Sequence, residues 1–298
     1  MQIGQVGMTS RKLTDLFRAA ADDLAAVEGP ESRGRIRCPL CLRYFSREAL
    51  SAGQLTREHI LPRSVGGRLV TITCKECNNE HGSRLDSHLA GAAAANDASA
   101  GLGSFRSVAR IDDSRLAVNF TPAADEDAAY ELAVIQKATN PADVEKVVES
   151  LKEGSEINLT ISFGYGETSF HLGLLRAAYL FAFHRHGYTY ALAPASASVR
   201  CQILGAEAPS PDLPGIIKKA QFNGRLPSPV MQCDLGPLLG LPVLLTIVQL
   251  RIQLVANYFV LIPSVEAEPP GSLDRLPAIS RELHGRHVTI SRGVMTVG

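Results

Sequence analysis

Four cysteines in two Cys-x-x-Cys pairs, Cys38-Pro39-Leu40-Cys41 and Cys74-Lys75-Glu76-Cys77, constrain this chain more than any other feature. Two such knuckles can present four thiolates tetrahedrally to one Zn2+ ion. The 32 residues between them, Leu42 to Thr73, are too few to own a core, so binding the metal becomes part of folding the segment. A site closed by four protein ligands cannot itself activate water. The remaining cysteines, Cys201 and Cys233, stand alone. Met1 to Ser10 shows no charged region followed by an apolar run, so no secretory leader is expected. The paired cysteines then read as metal ligands in a reducing cytoplasm rather than as a disulfide framework.

The chain has 298 residues, more than the usual single domain of about 100 to 200, which makes two domains the default expectation. Formal charge sums to zero, so any nucleic-acid footprint must be local. From Arg33 to Ala90 there are ten Lys or Arg against five acids, and from Gly91 to Arg200 nine against thirteen. The segment with the knuckles stays basic even after four thiolates on a zinc ion subtract two charges.

Periodicity supplies the rest of the organisation. Residues 1–32 hold an amphipathic helix over Arg11 to Val27, with Thr9 or Ser10 as N-cap and Gly29-Pro30 as stop. Residues 33–90 form the zinc module. The Ala-, Asn-, Ser- and Gly-rich stretch 91–106 reads as a helix end running into a linker, and 107–298 as a larger mixed α+β domain whose periodicities carry no chemistry and whose role, target selection or regulation, stays open. In that domain strands are expected at Ser107–Phe120, Tyr130–Lys137, Glu156–Gly164, Tyr188–Leu192, Val199–Leu204, Val230–Cys233, Val243–Leu250, Gln253–Ile262 and His287–Ser291. Helices are expected at Pro141–Lys152, capped by Asn140, and at Ser169–His186, ended by Gly187. Leu241 to Pro263 carries a single charge, Arg251, but its polar and β-branched residues predict two buried strands rather than a membrane span.

Between the knuckles lie Glu58-His59-Ile60-Leu61-Pro62 and Gly66-Gly67, and the second knuckle continues into Asn78-Asn79-Glu80-His81-Gly82. Glu58 and His59 fall on the first of two short strands. Pro62, Ser64, Gly66 and Gly67 supply the bend and turn, and a helix begins near Cys77 to Asn78. This order, strand, loop, strand, helix, with its zinc knuckles, resembles the zinc-containing branch of the HNH endonucleases, the ββα-metal or His-Me finger fold. The resemblance covers about fifty residues.

It implies a metal-dependent endonuclease acting on DNA phosphodiesters. His59 would be the general base, an imidazole with an ordinary pKa near ~6.5 being able to accept a proton at neutral pH. Glu58 and Asn78 would hold one divalent cation, Mg2+ or Mn2+, with positions left for the phosphate. His81 would be a last ligand or a phosphate contact, and Cys38, Cys41, Cys74 and Cys77 the structural zinc ligands. Two departures stand out: Leu69 to Thr73 offers no asparagine before the second knuckle, and Glu58 stands where many members have Asp. Arg57, Arg63, Arg68, Lys75 and Arg84 are candidate phosphate contacts.

Plainer readings stay open at each position. Glu58 and His59 could be a surface pair on a non-catalytic zinc finger that only binds nucleic acid. Asn78 could be a helix N-cap, His81 a solvated helix residue, each arginine a solvated charge. His171, His184 and His186 read as core or surface residues of an apolar helix. A cytoplasmic nuclease in restriction or anti-phage defence is the expected setting, with nucleic acid as partner, no membrane, and self-association left open.

Overall fold

The computed structural model describes residues 12–123, 130–151, 159–162, 164–220, 226–267, 272–283, 288–291 and 294–297. Helix α1 (Leu13–Glu28) forms where its periodicity places it and buries Leu16, Phe17, Ala21 and Leu24; the N-cap expected at Thr9 or Ser10 lies outside the described residues. Strands β1 (Arg35–Arg37) and β2 (Tyr44–Ser46) pair antiparallel around the first knuckle. A short helix α2 (Glu48–Ser51) leads into β3 (Leu55–His59), which pairs antiparallel with β4 (Val70–Cys74), Leu55 opposite Cys74 and His59 opposite Val70. Three helical pieces follow without a break: α3 (Lys75–His81), a π-type turn (Gly82–Asp86) and α4 (Ser87–Ser99). The strand, loop, strand, helix order is therefore present, with the helix starting at Lys75 rather than at Cys77 or Asn78.

Helix α4 runs on through nine residues of the stretch 91–106 expected as a linker, and Ala92, Ala93, Ala95 and Ala98 are buried. Alanine is the strongest helix former, and small side chains let this helix approach its neighbours. Only residues 100–104 are irregular before β5 (Phe105–Ile111). With β6 (Ser114–Pro122), β7 (Tyr130–Val134) and β8 (Leu159–Ser162), it forms an antiparallel sheet in the order β7-β6-β5-β8. Helix α5 (Pro141–Ser150) carries the expected cap, Asn140 Oδ1 accepting from the Ala142 N–H at 3.2 Å. Phe105, Ala109, Leu116, Val118, Phe120 and Val147 make a small apolar cluster of their own here. Residues 156–158 and 163 of the expected strand Glu156–Gly164 lie outside the described residues.

Helix α6 (Glu167–Ala191) is apolar from Leu172 to Phe183 except for Arg176, and that stretch is buried on all sides, as such a composition requires. Gly187, at φ 59°, breaks it as expected, but the helix resumes rather than giving way to a strand. Tyr188–Ala191 is helical with Leu192 as the C-cap, and Val199–Leu204 lies within α7 (Pro194–Leu204). Pro194 starts α7 at its first turn, where a missing N–H costs nothing, and packing against α6 decides the matter over weak strand propensity.

Then come α8 (Leu213–Ile216), β9 (Ile217–Ala220), β10 (Val230–Leu238), β11 (Leu241–Arg251), β12 (Val255–Pro263), α9 (Ser272–Glu282), β13 (Val288–Ser291) and β14 (Val294–Val297). β10 to β12 with β9 make a second antiparallel sheet, β10-β11-β12-β9. The weakly charged stretch Leu241 to Pro263 is its central hairpin, and no helix among the described residues is long and apolar enough to cross a membrane. One apolar cluster holds Leu16 and Phe17 of α1, Ile36, Leu55, Ile60 and Ile72 around the knuckles, Leu172 to Leu180 of α6, and Val243, Leu245 and Val260 of the second sheet. Helix α6 packs on α1 and α4 and on β10 to β12; it is the element through which the zinc-knuckle region and the second sheet share a core.

Candidate functional site

The four paired cysteines converge. Their sulfurs all lie within 4.8 Å of one another, and Cys41 Sγ and Cys74 Sγ are 3.8 Å apart, the spacing of about 3.8 Å that two ligands of a tetrahedral zinc with Zn–S near 2.3 Å must have. The backbone supports anionic sulfur here: the Cys74 N–H donates to Cys38 Sγ and the Cys77 N–H to Cys74 Sγ, each at 3.4 Å. Arg43 Nε donates to Cys41 Sγ at 3.4 Å. Close thiols titrate against one another. Hydrogen bonds, first from Cys38, drive Cys41 below the thiol range and Cys74 down to about 6, whereas Cys38 and Cys77 are held high by their neighbours. A dication removes this conflict by charging all four. The cluster fits zinc in number, element and spacing.

The β3–β4 hairpin leaves that corner with Cys74 and carries Glu58 and His59 at its other end. Its loop closes through Gly67, whose N–H donates to the Pro62 carbonyl at 3.0 Å. A Cβ on Gly67 would lie 1.8 Å from the Leu61 carbonyl oxygen, so this position admits only glycine. Successive strand residues face opposite ways, and Glu58 and His59 accordingly have different surroundings. Glu58 is 1% exposed, while His59 is half-buried. Burial first, then Arg63 and Arg57, lower the His59 pKa, so its imidazole is neutral at pH 7.

Helix α3 contributes Asn78 and His81. Asn78 is not a cap: Cys74 is the N-cap of α3, and Asn78 Nδ2 donates to Thr56 Oγ1 on β3 at 3.3 Å, leaving its amide oxygen uncommitted. Nor is His81 a solvated residue. It is fully buried, its Nδ1 lies 3.3 Å from Arg84 Nη2, and its Nε2 has no hydrogen-bond partner among the described residues. Burial, with Arg176 and Arg84 nearby, holds its pKa down at about 4.

Glu58 has a partner that no motif announces. Arg176 of α6, 0% exposed, donates through Nη2 to Glu58 Oε1 and through Nη1 to Asp86 Oδ1 at 2.8 Å. Glu58 Oε2 is buried and has no hydrogen-bond partner among the described residues. Burial pushes the Glu58 carboxyl up to about 7, against the pull of Arg176 and with a further push from Asp86; Asp86 is raised by burial too. The one available signal for Arg176 was its isolation, a single charge between Phe170 and Phe183. Tyr179, one helical turn on, donates to the Pro39 carbonyl in the first knuckle at 2.6 Å, and Tyr188 Oη accepts from the Arg37 N–H at 2.9 Å. Helix α6 thus grips the zinc-knuckle region by hydrogen bonds at three places.

Among the described residues Glu58 Oε2 and His81 Nε2 are buried without a hydrogen-bond partner, and Asn78 lies one helical turn before His81 on α3; these are oxygen and imidazole donors of the kind a divalent cation accepts. Of the candidate phosphate contacts, Arg57, Arg63, Arg68 and Lys75 are exposed. Arg84 is turned inward, where its guanidinium donates to the Ile203 carbonyl of α7. His184 and His186 are exposed and His171 is half-buried.

Residues 38–92 match the family model for HNH endonucleases. Comparison with curated proteins gave no match, and comparison with solved structures gave none.

Proposed function

We propose that the HNH endonuclease module spanning residues 38–92 makes this chain a metal-dependent nuclease that hydrolyses phosphodiester bonds in DNA. The observation that carries the reading is the convergence of a four-thiol corner with a β-hairpin that brings Glu58 and His59 to its far end. His59 serves as general base. Its lowered pKa keeps the imidazole unprotonated at neutral pH, and the arginines that lower it, Arg63 and Arg57, are cations suited to a phosphodiester. Glu58 and Asn78, with His81 behind them, hold Mg2+ or Mn2+, which when bound supplies charge stabilisation at the scissile phosphate and its leaving oxygen. Arg68 and Lys75 extend the phosphate-binding face. Zinc at Cys38, Cys41, Cys74 and Cys77 is structural. A catalytic finger built onto a large further region suits a nuclease with its own targeting device, and restriction or anti-phage defence in the cytoplasm is the setting we propose by that analogy.

The test is nicking of supercoiled plasmid by the zinc-loaded full chain with Mg2+ or Mn2+. His59→Ala should lower the rate by about 10²- to 10⁴-fold while leaving DNA affinity nearly unchanged, and a chelator should abolish cleavage. A second reading, a zinc-stabilised binder without catalysis, draws support from the burial of Glu58 against Arg176. Salt-dependent DNA binding with no nicking in any divalent metal would establish it instead.

A further inference from the structure

The carboxylate assigned to the divalent cation already faces a cation of the protein's own. Arg176 is fully buried, and its two terminal nitrogens engage Glu58 Oε1 and Asp86 Oδ1. Two carboxylates and one guanidinium leave this cluster formally one negative charge in excess. Its unpartnered groups are Glu58 Oε2 and the Arg176 Nε, so the carboxylate still offers an oxygen while the arginine offers only more positive charge. A metal ion on Glu58 Oε2 would sit on the same carboxylate as the guanidinium, in surroundings too buried for water to screen the two.

The arginine has little freedom to withdraw. It lies between Leu175 and Ala177, both fully buried, on a helix fixed by Tyr179 to Pro39 and packed so closely that a Cβ on Gly173 would lie 2.9 Å from Leu89 Cγ. Releasing Glu58 from Arg176 therefore means moving a buried side chain within a helix whose backbone is held in place. This helix reaches from the knuckles to the second sheet, so whatever moves the sheet also bears on Glu58.

We propose that Arg176 is a resident competitor for the catalytic cation: it holds Glu58 in a paired, metal-poor resting state, and divalent-ion binding requires the guanidinium to give way. The proposal rests on the reading of Glu58 as a metal ligand. Its consequence is that free protein takes up the divalent ion weakly, and that a substrate phosphate, which brings negative charge of its own, strengthens the uptake. Arg176 is then a positioning residue that sets metal occupancy through Glu58.

Mn2+ binding to zinc-loaded full-length protein, followed by the Mn2+ electron paramagnetic resonance signal, tests this without any turnover. Arg176→Met should bind Mn2+ at least about tenfold more tightly than the unmodified chain, because a nearby positive charge has been removed, and Glu58→Gln should abolish the gain. Equal or weaker Glu58-dependent binding in Arg176→Met overturns the competitor role while leaving Glu58 as a ligand. Mn2+ binding insensitive to Glu58→Gln overturns the ligand assignment and the proposal with it. Should Arg176→Met fail to fold, the unmodified chain decides: saturating Mn2+ should speed amide hydrogen exchange in α6 around Arg176, since ligands that compete must loosen one another reciprocally. Slowed or unchanged exchange would count against the proposal.

Discussion

The two ends of the β3–β4 hairpin handle buried charge by opposite means. At one end Leu55 pairs with Cys74, and four sulfurs lie within 4.8 Å of one another, an arrangement whose charge a zinc ion from outside would neutralise. At the other end Glu58 is matched from inside, by an arginine 118 residues further along the chain. The first arrangement is self-announcing, because a tetrahedral metal demands ligands in closely spaced pairs. The second needs only one long side chain arriving from anywhere. A chelator would empty the first end, whereas the second is held by groups of the chain itself.

Removing the outside ion should have the largest effect. An apparent zinc-binding free energy of about 10–16 kcal/mol rivals the entire stability of a typical domain, about 5–15 kcal/mol. Cys77→Ser, or exhaustive chelation, is therefore expected to unfold the knuckles and the hairpin. Because the second sheet and helices α6 to α9 share an apolar cluster with them but together own most of it, they should persist. Hydrogen exchange would show protection lost over residues 35–81 and retained in β11 and β12. Full protection of β3 and β4 without zinc would break the comparison, since the inside ion pair would then suffice for both ends.

Removing the inside partner comes next. Arg176→Met strands Glu58 and Asp86, and taking one partner from a buried ion pair costs about 3–5 kcal/mol. Adding Glu58→Gln and Asp86→Asn in the same chain should recover most of that loss, because the penalty comes from uncompensated charge rather than from lost packing. Urea unfolding of the single and triple variants, zinc bound throughout, measures both. A single variant within about 1 kcal/mol of the parent would mean that water reaches the cluster.

What was legible beforehand follows the same division. The knuckles, the order of the ββα elements, the glycine turn and the Asn140 cap are local devices, and each stands where its residues put it. So does the central hairpin of the second sheet, whose apolar and β-branched run could be told from a membrane span by its polar residues. Elements decided by packing went the other way. Tyr188–Leu192 and Val199–Leu204 hold enough β-branched or aromatic residues to suggest strands, yet the first continues α6 beyond Gly187 and the second is helical in α7, packed on α6. The Ala-rich stretch after the finger became buried helix instead of linker as far as Ser99. Arg176 and Asp86 were missed because no local pattern links residues ninety positions apart, and His81 was recognisable by spacing but not by its burial.

A third buried charge sharpens the contrast at smaller scale. Asp97, 3% exposed near the end of α4, accepts from the backbone N–H groups of Gln253 and Leu254 at 2.9 and 2.8 Å. It ties the turn between β11 and β12 to the helix that begins in the finger. Here a carboxylate is satisfied by backbone donors and needs no counter-cation. Asp97→Ala should cost about 1–3 kcal/mol, with exchange at the amides of Gln253 and Leu254 rising more than elsewhere in the sheet. An even rise across β11 and β12 would show that the contact serves the whole sheet and not the turn.

The smallest effect is expected at the surface of the thiol corner. Arg43 pairs with Glu76, and both side chains are more than half exposed. An exposed pair contributes less than about 1 kcal/mol, so Glu76→Gln should leave thermal stability nearly unchanged. Arg43 differs from its partner because the same guanidinium also donates to Cys41 Sγ at 3.4 Å and to Cys74 Sγ at 3.7 Å. Thiolate charge, with the Glu76 contact behind it, raises the pKa of Arg43 above its usual value. Arg43→Ala should therefore weaken zinc retention against a competing chelator by a few-fold, where Glu76→Gln should not. If both variants release zinc at the parent's rate, the outside ion is held by the four sulfurs and the backbone alone. The thiol corner would then be self-contained in a way that the Glu58 end, dependent on a distant helix, is not.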